Sequence, residues 1–310
     1  MERASGGRMA ELFEQVSNWG RWGDDDERGA LNLITADRVA RAGALVTDGQ
    51  VVSCGRDLPT SPSADNPVPV QHMMLSAGDC FDNAAMPGFE QTTDFLGVAC
   101  HGMGISHIDA LCHMFVGGSM YNGFPASDVR STGALRNSIA AAAGGIVGRG
   151  VLLDIPRLRG RPYLDPDAPV TPAELTAAES AAGLAVGPGD ILIVATGRDA
   201  RRTAAEPGGA VAGIAGLDPE CLPWLRDRDV AVLGSDGISD VIPPNAAPRW
   251  PFPVHQCGIT AIGLHLLDNL ALTELVEVCA GKGRWEFLFT VGPLRATRAT
   301  GSPVNPVAVF

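Results

Sequence analysis

Three short apolar runs do most to limit the fold: GVLLDI from Gly150 to Ile155, DILIVAT from Asp190 to Thr196 and VAVLGSD from Val230 to Asp236. Each is too short for a buried helix and breaks at Gly, Asp or Thr, so each reads as a buried strand. Helix signals alternate with them. Thr171-Pro172-Ala173-Glu174 is a capping box with proline at the first helical position, which predicts a helix from Pro172 to Ala182. Further helices are expected over Pro219 to Arg228 and Leu272 to Ala280, with a strand from Trp285 to Leu294. The expected class is α/β, a mixed arrangement in a single compact domain.

The first part of the chain is less regular. Residues 1–35 place Trp19 and Trp22 among Gly and acidic residues and are expected to wrap the surface or another subunit. A short helix from Thr35 to Ala42 follows, with Gly43 just past its end. From Val51 to about Val98 the text is rich in Pro, Asp and Gly with weak periodicity, which predicts long loops between strands that wall a site.

Within that frame, Val98 to Met114 reads VACHGMGISHIDALCHM and gathers His101, His107 and His113, half of the six histidines, around Asp109. His107 and Asp109 are two residues apart, so an extended backbone points both side chains at one face. Imidazole with carboxylate is the donor set of catalytic Zn²⁺, Mn²⁺ or Fe²⁺ sites. His255 and Asp268 are further ligand candidates. Asp268 interrupts an apolar stretch, and either metal ligation or capping of the helix that begins near Leu272 accounts for it. His265 and His72 read as packed or surface histidines. Asp236 and Asp240 close a strand, where site lining and ordinary turn chemistry explain them equally well.

Other chemistries find less support. The seven cysteines are scattered, with no CxxC pair, and read as buried apolar residues. Cys112 is adjacent to His113 and so points to the opposite face, which disfavours a thiolate nucleophile. The glycine-rich stretches Gly144 to Gly150 and Thr196 to Arg202 lack the spacing of phosphate loops, and there is no GxSxG elbow. A net charge of −12 with no basic run disfavours nucleic acid and anionic membrane as partners, leaving a small organic molecule as the expected substrate. No apolar segment of signal-peptide or membrane-spanning length is present, so a cytoplasmic protein is expected.

The His101 to Gly123 segment, RGVLLDI, GDILIVATG, GSDGISD, PVHQ, the closing GSPVNPVAVF and the early NWGRWG together resemble the cyclase family that includes bacterial kynurenine formamidase and isatin hydrolase. The resemblance runs over nearly the whole chain. It implies a swivelling β/β/α fold with residues 36–310 as the catalytic domain, a homo-oligomer (dimer or tetramer), and one or two divalent ions, Zn or Mn. It also implies metal-dependent opening of an amide, N-formyl or cyclic amide bond in a small aromatic substrate. The family motif HxGTHxDxPxH maps its second histidine to His107, its aspartate to Asp109 and its last histidine, the proton carrier, to His113. The ligands of a second metal position map to His255 and Asp268.

The chain departs from the motif at its first histidine, which is Met103, a thioether poorly suited to Zn²⁺ or Mn²⁺. His101, two residues earlier, is the candidate replacement. An arginine common before the TG of GDILIVATG is Ala195. A ring-forming, metal-independent cyclase in a natural-product pathway is the alternative reading, and a scaffold with a decayed site is the third.

Overall fold

The three apolar runs lie side by side in one sheet. A computed structural model describes residues 7–79, 88–205, 213–243 and 249–310. Its strands are β1 (Val51–Ser53), β2 (Gln71–Ser76), β3 (Thr93–Gly97), β4 (His107–Asp109), β5 (Val129–Arg130), β6 (Gly133–Ala134), β7 (Ile146–Asp154), β8 (Ile191–Ala195), β9 (Val232–Ser235), β10 (His265–Asp268), β11 (Glu286–Val291), β12 (Gly301–Pro303) and β13 (Val307–Val309). Nine of these form a curled sheet in the order β1-β13-β11-β7-β8-β9-β10-β4-β12. Strands β7, β8, β9 and β10 run parallel, and every other pairing in the sheet is antiparallel.

Patterning follows position. β8 and β9, covered on both faces, are buried at every residue, as continuous apolar runs require. β11 alternates instead, sending Phe287, Phe289 and Val291 into the core.

The α-helices are α1 (Arg8–Val16), α2 (Ala36–Gly43), α3 (Ile155–Arg159), α4 (Pro172–Ala182), α5 (Arg198–Ala204), α6 (Cys221–Asp227), α7 (Pro253–Cys257) and α8 (Thr273–Lys282). α4 has the bounds its capping box predicts, with both reciprocal bonds made and Gly183 ending it in a left-handed conformation. Thr35 caps α2. α6, α8 and β11 occupy the other expected segments with slightly shifted ends.

The amino-terminal segment is stitched onto the core. Met9, Leu12 and Val16 of α1 are buried, and the Asn18 amide and Trp19 indole donate to the carbonyls of Ile262 and Thr260. Gly29 has φ +56°, and a Cβ there would stand 2.2 Å from the Gly263 carbonyl oxygen.

Two readings gain detail. Of the two open for Asp268, helix capping falls away: it ends β10, while α8 starts at Thr273 with no side-chain cap. The stretch from Val51 to Val98 holds long loops between strands as expected, and β2 and β3 pair as an antiparallel hairpin within it. Both faces of that hairpin are exposed, so its residues never faced the selection for alternation that marks a half-buried strand. Among the described residues no helix is long and apolar enough to cross a membrane.

Candidate metal centre

Asp109 is the hub of the site. It ends the three-residue strand β4, is completely buried, and neither carboxylate oxygen has a hydrogen-bond partner. Four imidazoles stand around it. His101 Nδ1 is 2.9 Å from Oδ1, His107 Nε2 is 3.5 Å and His113 Nε2 4.0 Å from the same oxygen, and His255 Nε2 is 3.5 Å from Oδ2. Burial alone would raise the Asp109 pKa, but the encircling imidazoles hold the carboxyl well below its usual range.

β4 delivers two members as its alternation predicts, His107 and Asp109 sharing one face. Antiparallel pairing with β10 sets Asp268 opposite His107, and Asp268 Oδ2 lies 4.0 Å from His107 Nε2 and 3.2 Å from His255 Nε2. α7 supplies His255.

His101 is not on a strand but enters through the turn preceding β4, where its Nε2 meets the Thr300 hydroxyl at 2.9 Å. A Cβ at Gly301 would stand 2.8 Å from His101 Cε1, so glycine leaves room for this ring. His101 stacks on His113 with ring centroids 4.0 Å apart and planes 4° from parallel.

Proton positions on two of the histidines follow from their outer partners. His107 Nδ1 donates to the Ile105 carbonyl at 2.8 Å, and His255 Nδ1 to Asp240 Oδ2 at 2.6 Å, so each turns Nε2 toward Asp109. Asp240 also accepts from the backbone N–H groups of Val254 and His255, at 2.8 and 3.0 Å. An outer carboxylate in this position fixes the orientation of the imidazole it accepts from.

The remaining titrations divide the cluster. Burial opposes the charged form of His255 and of His101, but Asp268, Asp109 and Asp240 raise the first well above the ordinary value and Asp109 with Cys100 raises the second to about 10. Burial lowers His113 to about 4, so it is neutral at neutral pH. The Cys112 thiol is buried and pushed up to about 12, which removes it as a nucleophile.

Donor chemistry fits a divalent cation. His101, Asp109 and His113 form one group whose ligand atoms lie within 4.8 Å of one another, and His107, Asp109 and Asp268 form a second. A buried carboxylate with no donor is costly as it stands, and a cation supplies the missing partner.

Some contributors were not legible as site residues. Asp240 appeared only as one of two turn carboxylates, and Thr300, Asn269 and Arg198 carried no local signal because their partners lie 71 to 199 residues away. Asn269, with φ +56°, donates to the carbonyls of Gly102 and Ile105 and accepts from Arg198, whose Nη2 holds the Met103 carbonyl at 2.8 Å. These two residues pin the turn between His101 and His107. His265 is fully buried with both ring nitrogens unpartnered, and burial lowers it to about 4. His72 is outside the cluster, paired with Asp94 on the hairpin.

Comparisons with known proteins agree with this architecture. A family model described as "Putative cyclase" matches residues 59–240. A crystal structure of a novel cyclase is 31% identical, covers 95% of this chain and 99% of its own, and superposes with a TM-score of 0.85. An isatin hydrolase bound to the product analogue thioisatinate is 22% identical, covering 85% of this chain and 93% of its own, with a TM-score of 0.60. A predicted metal-dependent hydrolase from Bacillus stearothermophilus shares the fold at 13% identity, covering 84% and 98%, with a TM-score of 0.51. No curated protein matches the sequence. With a family model over more than half its length and a 31% identical relative across nearly all of it, the chain belongs to the cyclase family.

Proposed function

We propose that this chain is a metal-dependent hydrolase that opens an amide, N-formyl or cyclic amide bond in a small aromatic substrate. The observation that carries this reading is Asp109, buried and without a hydrogen-bond donor amid four imidazoles. His107, Asp109, His255 and Asp268 would hold the cation, with His101 in place of the imidazole that Met103 does not provide. When bound, a Zn²⁺ or Mn²⁺ ion supplies Lewis-acid activation of water and of the scissile carbonyl.

The chain's own residues do the rest. Asp240 and the Ile105 carbonyl fix the tautomers of His255 and His107. His113 sits at the edge of the cluster with 27% of its side chain exposed, and burial keeps it neutral. It accepts a proton as water attacks and returns it to the departing nitrogen. The isatin hydrolase likeness, which concerns the fold, supports a cyclic amide as the first substrate to try.

The test is turnover of isatin and N-formylkynurenine by protein loaded with Zn²⁺ or Mn²⁺, beside His113→Ala. The reading expects metal-dependent hydrolysis, with His113→Ala losing kcat while retaining metal. Equal turnover by stripped and loaded protein, or by His113→Ala and wild type, would contradict it.

A further inference from the structure

Two cavities of about 340 Å³ and 360 Å³ open at the carboxyl ends of β7 and β8, and they share Asp154 and Arg157. Together they make one cleft of the size that takes a small organic molecule. Among the described residues, no member of the imidazole cluster lines it.

Its place follows from the topology. Alternation along β7 sends Val151 and Leu153 to the face of the sheet that α4 covers with Leu175 and Ala178, and Leu152 to the face that α8 covers with Leu275 and Cys279. Helices on opposite faces leave a crevice beyond the strand ends, which is where open α/β sheets bind their ligands. Ala181 and Ala182 of α4 and Ala280 of α8 keep that crevice wide, and Trp285 gives it a flat wall.

We propose that this cleft binds a small organic cation, a primary ammonium group on an apolar or aromatic body, at a site separate from the metal centre. Asp154 is the anchor. Its Oδ1 accepts from the Arg157 backbone N–H at 3.0 Å, and its Oδ2 has no donor among the described residues. Asp154 and Ala195 are register partners on neighbouring strands, so the short Ala195 side chain leaves the space beside the carboxylate open. Burial raises the Asp154 pKa above its ordinary value, as expected of a carboxyl with few donors for its depth.

Charge selects the occupant. Asp154, Asp199, Asp236 and Glu277 line the cavity beside the strand ends, against Arg157 and Arg161. Asp199 is taken by Arg56 at 2.7 Å, Arg161 stands 4.0 Å from Asp165, and the Arg157 guanidinium lies over Trp285, 5.6 Å from the ring centroid. Asp236 is held by backbone N–H groups and the Thr196 hydroxyl, so its negative charge stays in the wall of the cleft. An ammonium group at Asp154 Oδ2 gains from both carboxylates, while its apolar body lies along Trp285 and the alanines of α4.

Isothermal titration of the full, Zn²⁺-loaded chain with 2-phenylethylammonium tests this. Saturable binding with a Kd below about 1 mM is expected. On the same wild-type protein 2-phenylethanol, which has the same shape without the charge, is expected to bind at least about 10-fold more weakly. Asp154→Asn retains a capping side chain for α3 and is expected to weaken binding of the ammonium about 10- to 100-fold. Asp109→Asn, which disrupts the metal centre, is expected to bind it as wild type does. Absence of saturable binding to wild type, equal affinity for 2-phenylethanol, or unchanged affinity in Asp154→Asn would overturn the proposal. Loss of binding in Asp109→Asn would also overturn it, because the ligand would then sit at the metal centre.

Discussion

Asp109 and Asp236 are both buried carboxylates at strand ends, separated in the sheet only by β10, and they are satisfied in opposite ways. Asp236 accepts from the backbone N–H groups of Thr196, Gly197 and Arg198 and from the Thr196 hydroxyl, at 2.7 to 3.0 Å. Asp109 accepts from nothing, although four imidazoles stand within 4.0 Å of it. Burial is therefore not what distinguishes the two carboxylates. The Asp236 carboxylate is consumed in holding the turn from β8 into α5, whereas the Asp109 carboxylate is left open toward a point that other ligand-type atoms also face.

The comparison can be broken most forcefully at a ligand. His107→Ala is expected to lower metal-dependent hydrolysis by at least about 100-fold, measured as kcat/KM, since it removes a first-contact donor and not an orienting one. Stability then separates the two aspartates. Asp236→Asn is expected to cost about 2–3 kcal/mol in denaturant unfolding of metal-free protein, because charge-assisted bonds are lost and an amide faces N–H donors. Asp109→Asn under the same conditions should cost less than Asp236→Asn, since it gives up attraction to the neighbouring imidazoles but no hydrogen bond. Equal losses would dissolve the distinction.

Asp240 is intermediate, as an anion spent on orienting His255. Asp240→Asn should weaken metal binding about 10- to 100-fold in chelator competition while the protein stays folded. Glu174 marks the exposed end of the series. The Arg159 guanidinium and the capping bonds with Thr171 lower its pKa to about 2, against partial burial. Its contribution is therefore fully present above the ordinary value near 4.5 and is lost as pH falls toward 2. Glu174→Gln should cost about 1 kcal/mol near neutrality, after allowance for solvent screening, and nothing near pH 2.

How much of this was legible in the sequence follows from the range of each interaction. α4 could be read to the residue because a capping box is a contact over three positions, and the buried strands because their burial on both faces leaves an unbroken apolar text. His107 and Asp109 could be placed on one face because they are two apart on a strand. His101 could not, since it arrives through a turn fixed by Asn269 and Arg198, whose partners are about 95 to 167 residues away. The outer role of Asp240 depends on α7 packing over the turn after β9, and the exposed β2–β3 pair had no buried face to leave a pattern.

The most direct test of the central claim is metal content by elemental analysis, after loading and desalting, for wild type, Asp109→Asn and Asp236→Asn side by side. The account predicts at least one ion per chain in wild type and in Asp236→Asn, and loss of it in Asp109→Asn. Equal metal in all three proteins, or none in wild type after loading, would contradict it.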